Sequence, residues 1–312
     1  MDSQLHVIFG TGPVGRAVME VLVTKGYRVR MVNRLGRADV PSGVAVVAAN
    51  LLNGTGVNEA AAGASVVYQC ANPAYDKWPE QFPGLQRSVL NAAAGAKAKL
   101  VIADNLYMYG DTDGAPLTED LPYNAKTRKG TVRAKMALDA LQAHRDGRLK
   151  VVIARGSDFF GPHVFASAMG ERQFGFAVSG KKASLIGNID VPHTFTYIKD
   201  FGAALVTLAE HDDVFGQVWH VPSAPAVSQR EFILKIFQEL KMKPEYNSMG
   251  KLMLMMGGLF IPAARESVEM LYEFEKPFVM DSTKFEKRFG VTAVSTDNAV
   301  RETVQWYRHH TK

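Results

Sequence analysis

LHVIFGTGPVGRAVMEVLVTKGYRVRMVNR, residues 5–34, decides the fold. A mainly apolar run, Leu5–Phe9 with His6 inside it, leads into Gly10-Thr11-Gly12-Pro13-Val14-Gly15. RAVMEVLVTKG (16–26) then places apolar residues at helical spacing and stops at Gly26, and YRVRMVNR (27–34) is again strand-like. A strand covered on both faces reads as a continuous apolar run, so Leu5–Phe9 belongs inside a parallel sheet. The spacing G-x-G-x-x-G is common by chance. It gains meaning between a strand and a helix, with a second strand ending about 20 residues on, which is its context here. Gly10 then permits the tight turn, Gly12 lets a phosphate approach the backbone, and Gly15 lets the helix lie close to the strand. The turn, with Pro13 and Val14, offers the N–H groups of a helix N-terminus to a pyrophosphate. The stretch predicts a Rossmann-type, doubly wound parallel sheet that binds a dinucleotide.

The surrounding chain repeats the alternation. VAVVAAN (44–50), ASVVYQCA (64–71), KLVIAD (99–104) and LKVVIARG (149–156) read as further strands. Helical patterns fall near 57–63, 82–95 and 132–145. Strands alternating with helices imply right-handed crossovers and a sheet covered on both faces. Such a sheet holds its ligand outside the carboxyl ends of its strands. After Gly161 the pattern breaks into extended pieces, ASLIG (183–187) and HTFTYI (193–198), with helices near 200–210 and 228–240. Residues 248–274 read as a Met-rich helical segment, and a last helix starts near Asp297 with Val300, Val304 and Tyr307 on one face. The expected division is a dinucleotide-binding domain over 1–160, with parts of 190–225 returning to it, and a smaller mixed α/β lobe over 161–312.

Composition narrows the classes. The 312 residues are 47% hydrophobic and 21% charged, which suits a globular chain with a large core. The net charge of +5 is spread without a dense basic tract. It favours phosphate-bearing ligands over nucleic acid. The single cysteine, Cys70, excludes an intrachain disulfide and reads as a small buried hydrophobe. The start MDSQLHVIFG has no basic n-region or long apolar core, and the most apolar later run, 252–261, is too short for a membrane span. A cytoplasmic monomer or homodimer acting on a small molecule is expected, with neither nucleic acid nor membrane as partner. No His/Cys/Asp cluster has metal-ligand spacing, and no G-x-S-x-G nucleophile elbow is present.

The end of the second strand bears on the dinucleotide. An Asp or Glu there would accept hydrogen bonds from the adenosine ribose; this chain has Asn33-Arg34, and Arg37 follows. A carboxylate repels a 2′-phosphate, whereas a guanidinium pairs with it, so NADP(H) is expected, with NAD(H) still possible. Asn50 and Leu51 end the third strand, where adenine would lie. Ala71-Asn72-Pro73 follow the fourth, where small residues leave room for the nicotinamide ribose. Asn72 also suits a plain turn before proline.

Beyond the glycine turn, LYMYG (106–110), ARGSDFFGP (154–162), HTFTYIKDFGAAL (193–205) and the tail DSTKFEKRFGVT…AVRETVQWYR carry a wider likeness. The chain resembles the extended short-chain dehydrogenase/reductase superfamily, the NAD-dependent epimerases, dehydratases and related reductases. The resemblance implies a Ser, a Tyr and a Lys, with Tyr and Lys four apart on one helix face. The Lys ammonium lowers the phenol's pKa and holds the nicotinamide ribose, so that the Tyr passes a proton while hydride moves. Counted from Tyr109-Gly110, Asn105 stands where the Ser would be, Thr131 where the Tyr would be, and Lys135 at the lysine. Thr131 cannot titrate near neutral pH, so the likeness is to atypical members. Tyr107, just past a strand end, is the better tyrosine for a proton role, because the Tyr109 position is structural in the pattern. Asp158 falls where extended members contact nicotinamide and substrate, or it caps a turn. His163 and His193 read as surface or core residues.

Three functions stay open on the sequence. The first is an NADP(H)-dependent oxidoreductase acting on a small carbonyl, alcohol or conjugated compound. In it Lys135 would position the ribose, Asn105 the reacting oxygen, and Tyr107 or Asp158 would handle the proton. The second is a non-catalytic dinucleotide-dependent sensor, and the third a nucleotide-sugar epimerase or dehydratase. Trp78 and the loop 75–83 would cover the nicotinamide end or form plain surface. KLMLMMGGLFIP (251–262) would wall an apolar substrate or pack as core.

Overall fold

The computed structural model describes residues 4–250, 253 and 268–310. The chain forms two compact units. The first comprises residues up to 108, 128–155 and 201–219; the second comprises 109–127, 156–200 and the chain from 220 on.

The first unit is built on the expected alternation. Strands β1 (Leu5–Phe9), β2 (Arg28–Asn33), β3 (Ala45–Ala48), β4 (Val66–Gln69), β5 (Lys99–Asp104) and β6 (Val151–Arg155) alternate with helices. These are α1 (Pro13–Thr24), α2 (Val57–Ala61), α3 (Trp78–Gly95) and α4 (Arg128–Arg145). The order in the sheet is β3-β2-β1-β4-β5-β6, with every pair parallel. A later strand, Val218–His220, extends the sheet beyond β6 to make seven strands. All residues of β1, β4 and β6 are buried, the polar His6, Gln69 and Arg155 included, as strands inside a sheet covered on both faces are. Register aligns the carboxyl ends: Phe9 lies opposite Val32 and Gln69, and Asp104 opposite Arg155. The glycine turn, Asn33, Asn72 and Asp104 therefore share one edge of the sheet.

Two helices begin earlier than the sequence pattern predicts. α3 starts at Trp78 rather than near Phe82; Pro79 fits a first helical turn, where its missing N–H costs nothing. α4 starts at Arg128 rather than at Val132. The added turn is polar by composition, yet it buries Lys129.

The second unit contains short paired strands and packed helices. Asp158–Phe160 pairs in parallel with Phe195–Tyr197, and Ala183–Ile186 in parallel with Tyr246–Met249. Its core joins Phe160, Phe174, Phe232, Phe237, Val300 and Tyr307. The helix Gln229–Leu240 opens on a capping box: Ser228 accepts from the Glu231 N–H, and the Glu231 carboxylate accepts from the Ser228 N–H. The last helix, Thr296–His310, buries Val300, Val304 and Tyr307 as its spacing predicts.

Candidate functional site

The glycine turn leaves a space shaped for phosphate. A Cβ on Gly15 would lie 2.1 Å from the Gly10 carbonyl oxygen, so only hydrogen fits between α1 and β1. Gly10 has φ +117°, and a Cβ there would meet the Ala71 nitrogen at 2.8 Å. Gly12 differs: a Cβ there would meet nothing within 4 Å. Gly12 is also the N-cap of α1 and supplies no capping side chain, and no acidic residue stands in the first turn. The amides of that turn lack intrahelical acceptors, and the helix dipole favours an anion in front of them. The residues present thus fit a pyrophosphate.

At the end of β2 the Asn33 side chain folds its own loop. Its amide donates to Thr11 Oγ1 (3.1 Å) and to the Arg37 carbonyl (2.9 Å), and its Oδ1 accepts from the Leu35 and Gly36 N–H groups. Asn33 therefore shapes the loop that carries the two arginines. Arg34 and Arg37 are exposed, and among the described residues their side chains make no hydrogen bond or ion pair. Asn50 likewise closes a turn, accepting from the Leu52 N–H at 3.0 Å, and Leu51 is buried.

The carboxyl ends of β4 and β5 carry a buried charge cluster. Asp104 lies between two guanidiniums: Arg155 Nε donates to its Oδ2 at 3.2 Å, and Arg133 Nη1 stands 3.4 Å from its Oδ1. All three side chains are buried. Arg133 Nη2 donates to Asn72 Oδ1 at 3.3 Å, and its Cζ lies 4.5 Å from the Trp78 ring centre and 4.2 Å from that of Phe82. Burial pulls the Arg133 pKa below its ordinary value, with the Asp104 carboxylate opposing the shift. Fully buried Lys129, one turn earlier on α4, sits over the Tyr75 ring at 4.3 Å. The Tyr75 hydroxyl is 3.5 Å from that of Tyr107. Asn105 accepts from the Tyr107 N–H at 3.2 Å and so aims the Tyr107 turn. Trp78 is buried, with Nε1 donating to the Pro73 carbonyl, so it forms the wall of this cluster rather than loose surface.

Other residues singled out by sequence fall elsewhere. Thr131 and Lys135 both stand on the exposed side of α4, where Lys135 pairs with Asp139 at 3.0 Å one turn on. Tyr109 is buried in the second unit with its hydroxyl 2.8 Å from His220 Nε2, a structural placement. Asp158 is 2.8 Å from His193 Nε2, and His193 Nδ1 is 3.1 Å from the Glu273 carbonyl oxygen. His193 is a core residue packed against Phe195, Phe274 and Phe278. The His163 ring packs 4.7 Å from Trp306. Burial pushes the Cys70 thiol up, which fits an inert hydrophobe. Of KLMLMMGGLFIP all but Met253 lies outside the described residues. Among the described residues no cluster of metal-ligating side chains occurs, and no helix is long and apolar enough to cross a membrane.

With this geometry in hand, comparison with known proteins is decisive at the family level. Residues 7–221 match the model of the NAD dependent epimerase/dehydratase family. The chain belongs to that family. Solved structures share the fold over nearly the whole length. A dTDP-glucose 4,6-dehydratase from Bacillus anthracis in complex with NAD is 16% identical, with TM-score 0.78, covering 99% of this chain and 97% of the other. A UDP-glucuronic acid 4-epimerase from Bacillus cereus in complex with NAD is 15% identical, with TM-score 0.78, covering 99% and 100%. A UDP-N-acetylglucosamine 4-epimerase from Methanobrevibacter ruminantium in complex with UDP-N-acetylmuramic acid is 16% identical, with TM-score 0.80, covering 98% and 99%. At these identities the likeness establishes the fold alone. No curated protein sequence matches the chain.

Lys129 and Arg133 escaped the sequence reading. They are four apart, the spacing expected of the paired residues, but two positions before Thr131 and Lys135. A signal existed. Arg133 stands three, four and seven residues before Met136, Ala137 and Ala140, which form the buried stripe of α4. Lys135 is aligned instead with Leu138, Asp139 and Gln142, which face outward or sit at the margin.

Proposed function

We propose that this family member is a nicotinamide dinucleotide-dependent oxidoreductase of a small carbonyl or alcohol, with preference for NADP(H). The observation that carries the reading is the open space at Gly12 in front of uncapped amides, one strand from two arginines without partners among the described residues. Phosphate oxygens satisfy the amides, and a 2′-phosphate gives Arg34 and Arg37 the charge-assisted contacts they lack.

When bound, the nicotinamide supplies or takes a hydride. This chain's own residues then have a proton to manage. Reduction of a carbonyl carbon by hydride leaves charge on oxygen, and the Tyr107 hydroxyl supplies the proton, giving the alcohol. The Tyr75 hydroxyl, 3.5 Å away, is placed to return a proton to Tyr107. Asn105 fixes the Tyr107 turn through its Oδ1, which accepts from the Tyr107 N–H and leaves the amide Nδ2 to donate to the reacting oxygen. Lys135, paired on the exposed face of α4, has no part in this scheme.

A second reading, a nucleotide-sugar epimerase or dehydratase, is favoured by the family and by its structural neighbours, whose names specify such substrates. One experiment separates the two. The protein is loaded with NADPH or NADP⁺ and offered a panel of carbonyls and enones, then a panel of UDP- and dTDP-sugars. Net change in bound-cofactor absorbance with the carbonyls supports the first reading. Sugar conversion without net change in cofactor supports the second, and neither outcome with a bound cofactor points to a dinucleotide sensor.

A further inference from the structure

Two tyrosine hydroxyls meet at the carboxyl edge of the sheet, within the first unit. Tyr75 lies in the loop after β4 and Tyr107 just past the end of β5, and these two strands are parallel neighbours. Their oxygens are 3.5 Å apart, at the outer limit of a hydrogen bond. That separation makes a weak bond between the two and a good span for a third oxygen. One oxygen about 2.7–2.8 Å from each hydroxyl accepts from both. Asn105 stands at the same strand end. Its Oδ1 is committed to the Tyr107 N–H at 3.2 Å, so the group it offers a ligand is the amide Nδ2, a donor only. Tyr75, Tyr107 and Asn105 are all half-buried rather than closed off.

Trp78, buried in the first turn of α3, steadies both rings. Its ring centre is 5.0 Å from that of Tyr75, edge-on, and 5.8 Å from that of Tyr107. Donors fixed in advance by packing stabilise a negative charge that develops between them. The nature of that charge separates two substrates. Hydride added to a simple carbonyl carbon leaves an alkoxide, a strong base that must take a proton at once. Hydride added to the far carbon of a conjugated C=C–C=O unit moves the π electrons onto oxygen and leaves an enolate. Its charge is shared with carbon, so neutral O–H and N–H donors hold it without surrendering a proton. Water then supplies the proton, at the carbon next to the carbonyl. The product is the saturated ketone, formed from one hydride and one proton. The half-exposed tyrosine rings also suit a flat conjugated skeleton.

We propose that Tyr75 and Tyr107, with Asn105, form a paired-donor oxyanion site, and that the substrate is a flat α,β-unsaturated carbonyl compound. This assignment rests on the oxidoreductase reading above and deepens it by naming the substrate class. Tyr75 touches the reacting oxygen here and is a second catalytic residue beside Tyr107. An unconjugated carbonyl uses the same pair but needs the Tyr107 proton, and it is the slower substrate.

The test separates binding of an oxyanion from turnover. 4-Nitrophenolate, a flat conjugated oxyanion that accepts no hydride, is titrated by absorbance into the full chain with NADP⁺ present. Wild type, Tyr75→Phe, Tyr107→Phe and the double variant are compared; phenylalanine keeps each ring and removes only its hydroxyl. Each single variant should lose roughly tenfold in phenolate affinity, the worth of one hydrogen bond to a charged group. The two variants address the same oxygen independently, so a folding defect in one leaves the other to decide. 2-Cyclohexenone and cyclohexanone are then compared as oxidants of NADPH. The enone should be the better substrate by about tenfold or more, and its kcat should fall about a hundredfold in Tyr75→Phe. No phenolate binding by wild type, or equal binding by all four proteins, overturns the proposal. So does cyclohexanone reduced as fast as the enone, which leaves the oxidoreductase reading standing. Phenolate binding that depends on both hydroxyls, with NADPH oxidised by neither ketone, keeps the paired donors but sinks the oxidoreductase reading, and the substrate class with it.

Discussion

Replacing Gly12 and Gly15 one at a time by alanine separates what the turn does for the fold from what it does for a ligand. At Gly12 the backbone is extended (φ −76°, ψ −173°), a conformation any residue adopts, and a new methyl would project into open space. Alanine gains about 0.4–1 kcal/mol by restricting the unfolded chain and loses up to about 1 kcal/mol as a poorer N-cap than glycine. The net change should stay within about 1 kcal/mol, or a few degrees in Tm. That same methyl occupies the approach of the pyrophosphate. Losing two charge-assisted hydrogen bonds at about 1.5 kcal/mol each weakens binding by about 3 kcal/mol, roughly a hundredfold in Kd. Gly15→Ala should behave in the opposite manner. Its methyl would sit 2.1 Å from a backbone oxygen and must push α1 from β1, which costs about 2–3 kcal/mol of stability before any ligand is considered. Thermal unfolding and calorimetric titration with NADPH on the three proteins give the answer. Gly12→Ala protein that is folded and binds NADPH within twofold of wild type would refute the cradle. Gly15→Ala protein as stable as wild type would refute the packing argument.

The other predictions concern charge. Arg34→Ala/Arg37→Ala should weaken NADPH binding by tenfold or more and leave NADH binding nearly unchanged; equal losses would remove the 2′-phosphate assignment. Burial lowers the pKa of His6, in β1, from 6.5 to about 4. A depressed folded-state pKa gives stability that is present above 6.5 and is lost as pH falls through 4. Wild type should lose up to about 3 kcal/mol across that window, and His6→Gln should show a flatter profile in denaturant titrations. Asp158→Ala should cost about 1–3 kcal/mol by leaving His193 Nε2 without its oxygen, whereas Asp158→Asn, which keeps an acceptor, should cost less. Identical melting of the two variants would contradict that pairing.

Much of this architecture was legible because burial on both faces writes itself into sequence. The runs Val7–Phe9 and Val151–Ala154 read as buried strands in this alternating pattern, and the glycine turn needed only its flanks to be read. The Asn33-Arg34 end of β2 was legible for the same reason, since a strand end is fixed once the strand is. Boundaries were less so. Prolines at 79 and 83 masked the first turn of α3, and a polar stretch hid that of α4, because local propensity was overridden by what those turns cover.

The reaction edge was the part least readable in the sequence, and α4 shows why. A pattern search looks for a Tyr and a Lys in a fixed frame counted from landmarks, and that frame lands on Thr131 and Lys135, on the exposed side of the helix. Which residues a helix buries is set by its apolar stripe, and Arg133 is in phase with Met136, Ala137 and Ala140 while Lys135 is not. A charged residue in phase with such a stripe is paid for only by a partner. Here the protein supplies part of one through Asp104 and Asn72, and leaves Nε and most of the remaining donors uncommitted. The edge keeps two buried cations at the same spacing, beside a pair of tyrosine hydroxyls.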